Sequence, residues 1–273
     1  MSRPSTFAAY RWELRKLRSQ KRTYLGFGAA VVVPVIFCIA VAARPGGPED
    51  VPFGRYIHDT GLAIPLVLLL FGSIWLFPLI TALVAGDIVA AEDQNGTLKT
   101  ILTRSTSRAQ IFVAKVLAAF SYATIAITLT GATALIGGIL VSGYKPVTSL
   151  SGQPIAADEG LGLVIASLGV YLIPIIAVAS VALLLSTVFR NSAAAVVGTL
   201  MFSLLLQLLT IIPGLEGLKP YLLSTQFNAW QGLLRSPADW DPIIRAAWVC
   251  SIYAVPSLAV GLTVFLRRDV TGG

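Results

Sequence analysis

Charged and polar side chains concentrate in one stretch, Gly86 to Lys115, which reads GDIVAAEDQNGTLKTILTRSTSRAQIFVAK. Recognition, more than bond-making, is the chemistry it suits. A charged segment between long apolar helices needs a reason, and docking a soluble partner is a good one. Leu98, Ile101 and Leu102 lie three and four apart, the spacing of an apolar plug on one helix face. Gly96 permits a tight start or a close backbone approach, and Thr97 can cap. Glu92 and Asp93 near a helix start are favoured by its dipole and complement a basic residue of a partner. Taken without their surroundings, the same residues also fit an ordinary capped loop.

Catalysis by this chain alone is not expected. It has no GxxxxGK[ST] phosphate loop, so it binds no nucleotide that way. HExxH, GxSxG and CxxC are also missing. Ala85-Gly86-Asp87 is close to the GxGD motif of intramembrane aspartyl proteases, but Val84 replaces its first glycine and no second Asp lies mid-span. His58 is the single histidine and has no Cys/His cluster beside it, so no metal site is expected. Cys38 and Cys250 fall in apolar windows and read as buried thiols, with nothing to support a bridge between them.

Membrane-spanning helices must position these residues. Of 273 residues, 56% are hydrophobic and 12% charged, with a mean hydropathy of +0.80. A soluble domain of this size could not hide so much apolar surface, so lipid is the solvent for much of it. Six windows reach the roughly 20 apolar residues that a span needs: 24–43, 62–85, 111–141, 161–189, 193–213 and 243–266. The first has a basic flank and an apolar run too long for a cleaved signal peptide. Fourteen of the 20 Lys and Arg lie at one end, in the arm from Arg3 to Arg22, the loop from Lys99 to Lys115, Arg190, and the tail at Arg267 and Arg268. Both termini are therefore expected in the cytoplasm. The net charge of +7 is a topology signal, and no nucleic-acid binding is expected.

Phe7 to Arg22 has helical spacing, with Phe7, Tyr10, Leu14 and Leu17 on an apolar stripe and Arg11, Arg15, Arg18 and Arg22 on a basic one. Such a helix lies in the membrane plane with its arginines on anionic headgroups, as an anchor or as a lever touching a partner. Prolines 34, 65, 78, 174 and 256 favour kinks. The third window exceeds a hydrocarbon core of about 30 Å, so it tilts or projects. Thr124, Thr128 and Gly131 share a face there and suit packing or a path. No window carries a central charge, unlike ion-driven transporters; Gln207 is the most polar central residue of the fifth. Residues 214–242, rich in Leu, Trp and Tyr but broken by Pro220 and Pro237, suit short half-helices in the outer interface.

Glu92-x-x-x-Gly96-Thr97-Leu98, then Leu102-x-x-x-x-x-Arg108, then Lys115, resembles the cytoplasmic loop of the type-2 ABC transporter permeases, membrane subunits of drug, antibiotic and polysaccharide exporters. Ser107-Arg108 and Lys115 fit the family pattern, while Thr106 replaces the proline often found before Ser-Arg. The order of elements fits along the whole chain. The resemblance implies an all-α membrane protein of one transmembrane domain over residues 1–273. It would have six transmembrane helices, an N-terminal amphipathic interfacial helix, a coupling helix over Glu92–Arg104 between helices 2 and 3, and a re-entrant outer segment between helices 5 and 6. The coupling set would be Glu92, Asp93, Gly96, Thr97, Leu98, Ile101, Leu102, Arg104 and Arg108.

It further implies two separate ATPase subunits carrying ATP and magnesium, a second permease chain in a homodimer or heterodimer, no cofactor on this chain, and a place in a bacterial inner membrane. Closure of the ATPases would rock the N-terminal helix and the first, second and fifth spans. Thr124, Thr128, Phe202, Leu206, Gln207 and Leu209 would line a path suited to an amphiphilic drug, antibiotic, peptide or lipid. Sodium export or metal-site maturation by the same family, and a scaffold without transport, are the alternatives.

Overall fold

A computed structural model describes residues 5–44, 46–47, 50–97 and 107–268. It is mostly helical; among the described residues five helices are long and apolar enough to cross a membrane, and a sharply bent helix pair makes up to a sixth. α1 (Thr6–Arg18) begins at Ser5, whose Oγ accepts the Ala8 N–H at 3.2 Å. It stops short of the expected Arg22. Ser19 donates its hydroxyl to Lys16 O at 2.7 Å, and Gln20 is extended and opens α2 (Lys21–Ala43). Arg22 therefore belongs to the first span and not to the surface helix.

The second span is not one kinked helix. It consists of α3 (Ala63–Gly72) and α4 (Leu76–Ala85), bent by 62°. Pro65 and Pro78 each fall in the first turn of their own helix, where no backbone donor is needed. In a continuous helix the Pro78 ring would press on the Ile74 carbonyl; unlike the helices holding Pro34, Pro174 and Pro256, this one breaks ahead of it. The carbonyls freed at the break are satisfied locally: Tyr171 donates its hydroxyl to Leu69 O at 2.8 Å and Ser73 to Leu70 O at 2.7 Å. α3 is apolar all round and enclosed, with Ala63 through Leu69 all buried.

The third span, α5 over Ala90–Gln94 aside, is α6 (Arg108–Ser142), 35 residues or about 52 Å long at 1.5 Å per residue. Ser107 and Gln110 close a reciprocal capping box at its start. A small hairpin follows, unforeseen in an all-α reading: β1 (Val147–Thr148) pairs antiparallel with β2 (Pro154–Ile155). The fourth span, α7 (Ala157–Val188), is the most enclosed of the long helices. α8 (Ser192–Leu209) ends four residues before the window does, because Pro213 disfavours helical backbone ahead of it.

Short turns then lead through α9 (Leu223–Gln226) to the last span, α10 (Asp241–Arg267). Trp230 turns inward from that segment. It is fully buried and packs on Phe53, ring centroids 6.1 Å apart, while Tyr221 and Trp240 stay exposed. Cys38 and Cys250 are buried and free. Outward apolar side chains such as Ile36, Ile39, Ile252 and Val255 meet lipid: the chain is a multi-pass membrane protein.

Candidate functional site

Seven parts of the chain converge at the basic end of the bundle. α1 contributes Glu13 and Lys16, α2 contributes Arg22, and the chain after α4 contributes Asp87, Glu92 and Asp93. α6 contributes Lys115, α7 Ser186, α8 Ser192, and the end of α10 Arg268. Glu13 sits three residues after Tyr10 and four before Leu17, on the face of α1 turned toward α6, and Tyr10 shares a hydrogen bond with Ser121 at 2.7 Å. Lys115, six residues before Ser121 toward the basic end, meets Glu13 there.

Lys115 is fully buried. Its Nζ lies 2.9 Å from Glu13 Oε1 and 2.7 Å from Glu92 Oε1, and donates to Ile88 O at 3.2 Å. Lys16 contacts Glu92 from the other side. Two buried carboxylates thus face two ammonium groups. Asp87 is 1% exposed; Arg22 and the Ser192 hydroxyl both contact it. Ser186 accepts the N–H groups of Val89 and Ala90 at 3.1 and 3.0 Å. Asp93 pairs with Arg268 at 3.1 Å, and Arg108 donates to the carbonyls of Leu266 and Arg268 at 3.0 and 2.9 Å. Each charge taken out of water is neutralised on the spot, the condition under which buried ions are tolerated.

This cluster supports the loop. α5 carries Glu92 inward and ends at Gln94; Gly96 follows with a φ of +69°, a conformation glycine adopts without strain. Thr97 donates its hydroxyl to Glu92 O at 3.2 Å. Leu98, Ile101, Leu102 and Arg104 lie outside the described residues. Glu92 therefore serves its own chain, and Asp93 does so too. α5 thus touches α1, α6, α8 and the end of α10 through contacts under 4 Å, and Asp87 just before it ties in α2.

Burial, aided by the charge of Lys115, lowers the Lys16 pKa to about 8. Its amine is expected to acylate half-maximally near pH 8, rising as pH passes through that value, with peptide mass spectrometry as the readout. Because the folded pKa lies below that of the unfolded chain, the cost of keeping Lys16 charged is full below pH 8. It is relieved as pH climbs toward the ordinary lysine value.

Other residues expected at a site are scattered. Arg11, Arg15 and Arg18 are exposed on α1, consistent with a charged outer face. Thr124 and Thr128 point outward and donate to Phe120 O and Thr124 O of their own helix at 2.9 and 2.8 Å. Phe202 and Leu206 turn into their own bundle: Phe202 lies edge-on to Tyr253 at 6.2 Å, and Leu206 O accepts Ser224 Oγ at 2.9 Å. Gln207 lines a small cleft with Ser73 and Ser203. The outward stripe of α8 is Val197, Met201, Leu205 and Leu208. Glu13, Lys16, Arg22 and Arg268 were not singled out as cluster members. Glu13 alone left a trace, as a lone acid on the apolar face of a basic arm.

Residues 10–206 match the family model described as ABC-2 family transporter protein. No curated protein compared with the chain matches it.

Proposed function

Because the chain belongs to the ABC-2 family of transporter proteins, we propose that it is the permease of an ATP-driven exporter, and that Glu92–Arg104 takes the stroke of a separate ATPase. The fixing of Glu92 by Lys115 and Lys16 carries this reading. A loop that only capped a span would leave its acids in water. A loop that transmits displacement needs a stiff mount, and a desolvated, mutually paired cluster is stiff because parting any pair strands a buried charge.

Two ATPase subunits, binding ATP and magnesium, would press on the two loops of a permease pair as they close. The loop, α1 and the basic ends of the spans would then move as one block. The exposed stripe Val197, Met201, Leu205 and Leu208 on α8 supports a second permease chain there, with these side chains in place of Phe202 and Leu206 on the shared path. Its apolar character suits an amphiphilic substrate. Positive-inside counting supports a plasma-membrane orientation with both termini cytoplasmic.

Leu98→Asp tests the coupling. In proteoliposomes containing the permease and its ATPase, ATP-driven export is expected to fall at least tenfold with the permease still folded. Undiminished export by that variant would sink the proposal.

A further inference from the structure

At the end of the bundle away from the ionic cluster, α2 and α6 part and leave a slot open to the bilayer. Val35, Ile39 and Ala42 wall one side, Ile136 and Leu140 the other, around a space of about 400 Å³. Its floor is Cys38 against Gly137, where a Cβ would stand 2.7 Å from the Cys38 sulfur. From Val35 to Ala42 the slot runs about 10 Å at the helical rise, the length of the upper half of an acyl chain.

The slot opens into a wider mouth of about 550 Å³, which shares Ala42, Leu140 and Val141 and adds Arg44 and His58. α2 ends at Ala43, so Arg44 stands at the depth where a span meets headgroups. Arg44 is exposed, and His58 lines the mouth beside it. An apolar slot beneath a cationic mouth is complementary to one kind of molecule. A hydrocarbon chain fills the slot, and a phosphate oxygen meets a guanidinium fork and an imidazole nitrogen. A bare anion leaves the slot empty, and a neutral chain leaves the mouth unmatched.

We infer that this slot holds one anionic phospholipid, its acyl chain between α2 and α6 and its phosphate at Arg44 and His58. The inference rests on the bilayer setting and not on ATP-driven transport, so a failure of Leu98→Asp to uncouple leaves it standing.

Native mass spectrometry of the detergent-purified chain, titrated with phosphatidylglycerol or phosphatidylcholine, tests it. One phosphatidylglycerol is expected to persist per chain where phosphatidylcholine is stripped. Arg44→Glu should weaken retention about tenfold. Ala42→Trp, which plugs the slot from an exposed position, should abolish it with melting temperature unchanged. As a check in nanodiscs, an Ile136→Trp reporter should be quenched more strongly by brominated phosphatidylglycerol than by brominated phosphatidylcholine, and equally by both once Arg44→Glu is added. Equal retention of the two lipids, meaning annular lipid only, overturns the inference. So does phosphatidylglycerol retention that neither variant reduces.

Discussion

Lys115→Met is expected to destabilise the protein by about 3–5 kcal/mol, the usual cost of stranding the partners of a buried ion. Met keeps the length and helix propensity of Lys, so α6 itself is undisturbed. What is lost is the cation 2.9 Å from Glu13 and 2.7 Å from Glu92. Lys16, 24% exposed, remains the one ammonium against two buried carboxylates. Replacing both acids as well, in Glu13→Gln/Glu92→Gln/Lys115→Met, removes the stranded charges and should recover most of the loss. The readout is the melting temperature of the solubilised protein. It is expected to fall by about ten degrees for the single change and by much less for the triple. A single change that melts like the parent would show that the cluster does not carry the fold at that end.

The second large effect is steric. Gly61, before α3, and Gly138, in α6, meet backbone to backbone, and a Cβ on either would overlap the other's main chain. Gly61 N–H donates to Gly143 O at 2.9 Å, and Ser142 and Thr60 donate their hydroxyls to Ile57 O and Lys145 O at 2.5 and 2.7 Å. Main chain stitched on both sides cannot yield as a flexible side chain would. Gly138→Val is therefore expected at or above the upper end of the about 1–3 kcal/mol typical of overpacking. Gly169→Ala is the control, because a Cβ there meets nothing within 4 Å. It should be neutral or stabilising by up to about 1 kcal/mol. Thermal unfolding of the two side by side decides the matter; equal melting temperatures would mean that the α3–α6 contact is free to open.

The spans were legible because a bilayer demands a minimum length of apolar helix, and that demand is written in consecutive residues. The break in the second span was harder to see. Pro65 and Pro78 announce an irregularity, but a proline in a kink and a proline in a first turn look alike in sequence. Only the packing of Tyr171 and Ser73 onto the freed carbonyls shows that the chain can afford two helices there. The inward packing of Trp230 was hidden for a related reason. A tryptophan between prolines near a span reads as an interfacial anchor, whereas here Phe53 and the core around it give the ring a better burial.

The sequence by itself determined the solvent and the family, since each depends on local composition or on a motif read in order. Glu92, Gly96 and Lys115 belonged to that motif as spaced letters. Tertiary structure alone decided what they do to one another. Glu13 meets Lys115 across 102 residues, and Asp87 meets Arg22 and Ser192 across 65 and 105, separations at which no periodicity survives. Desolvation makes each of those charges costly alone and tolerable together, and that cooperation exists only once the helices have packed.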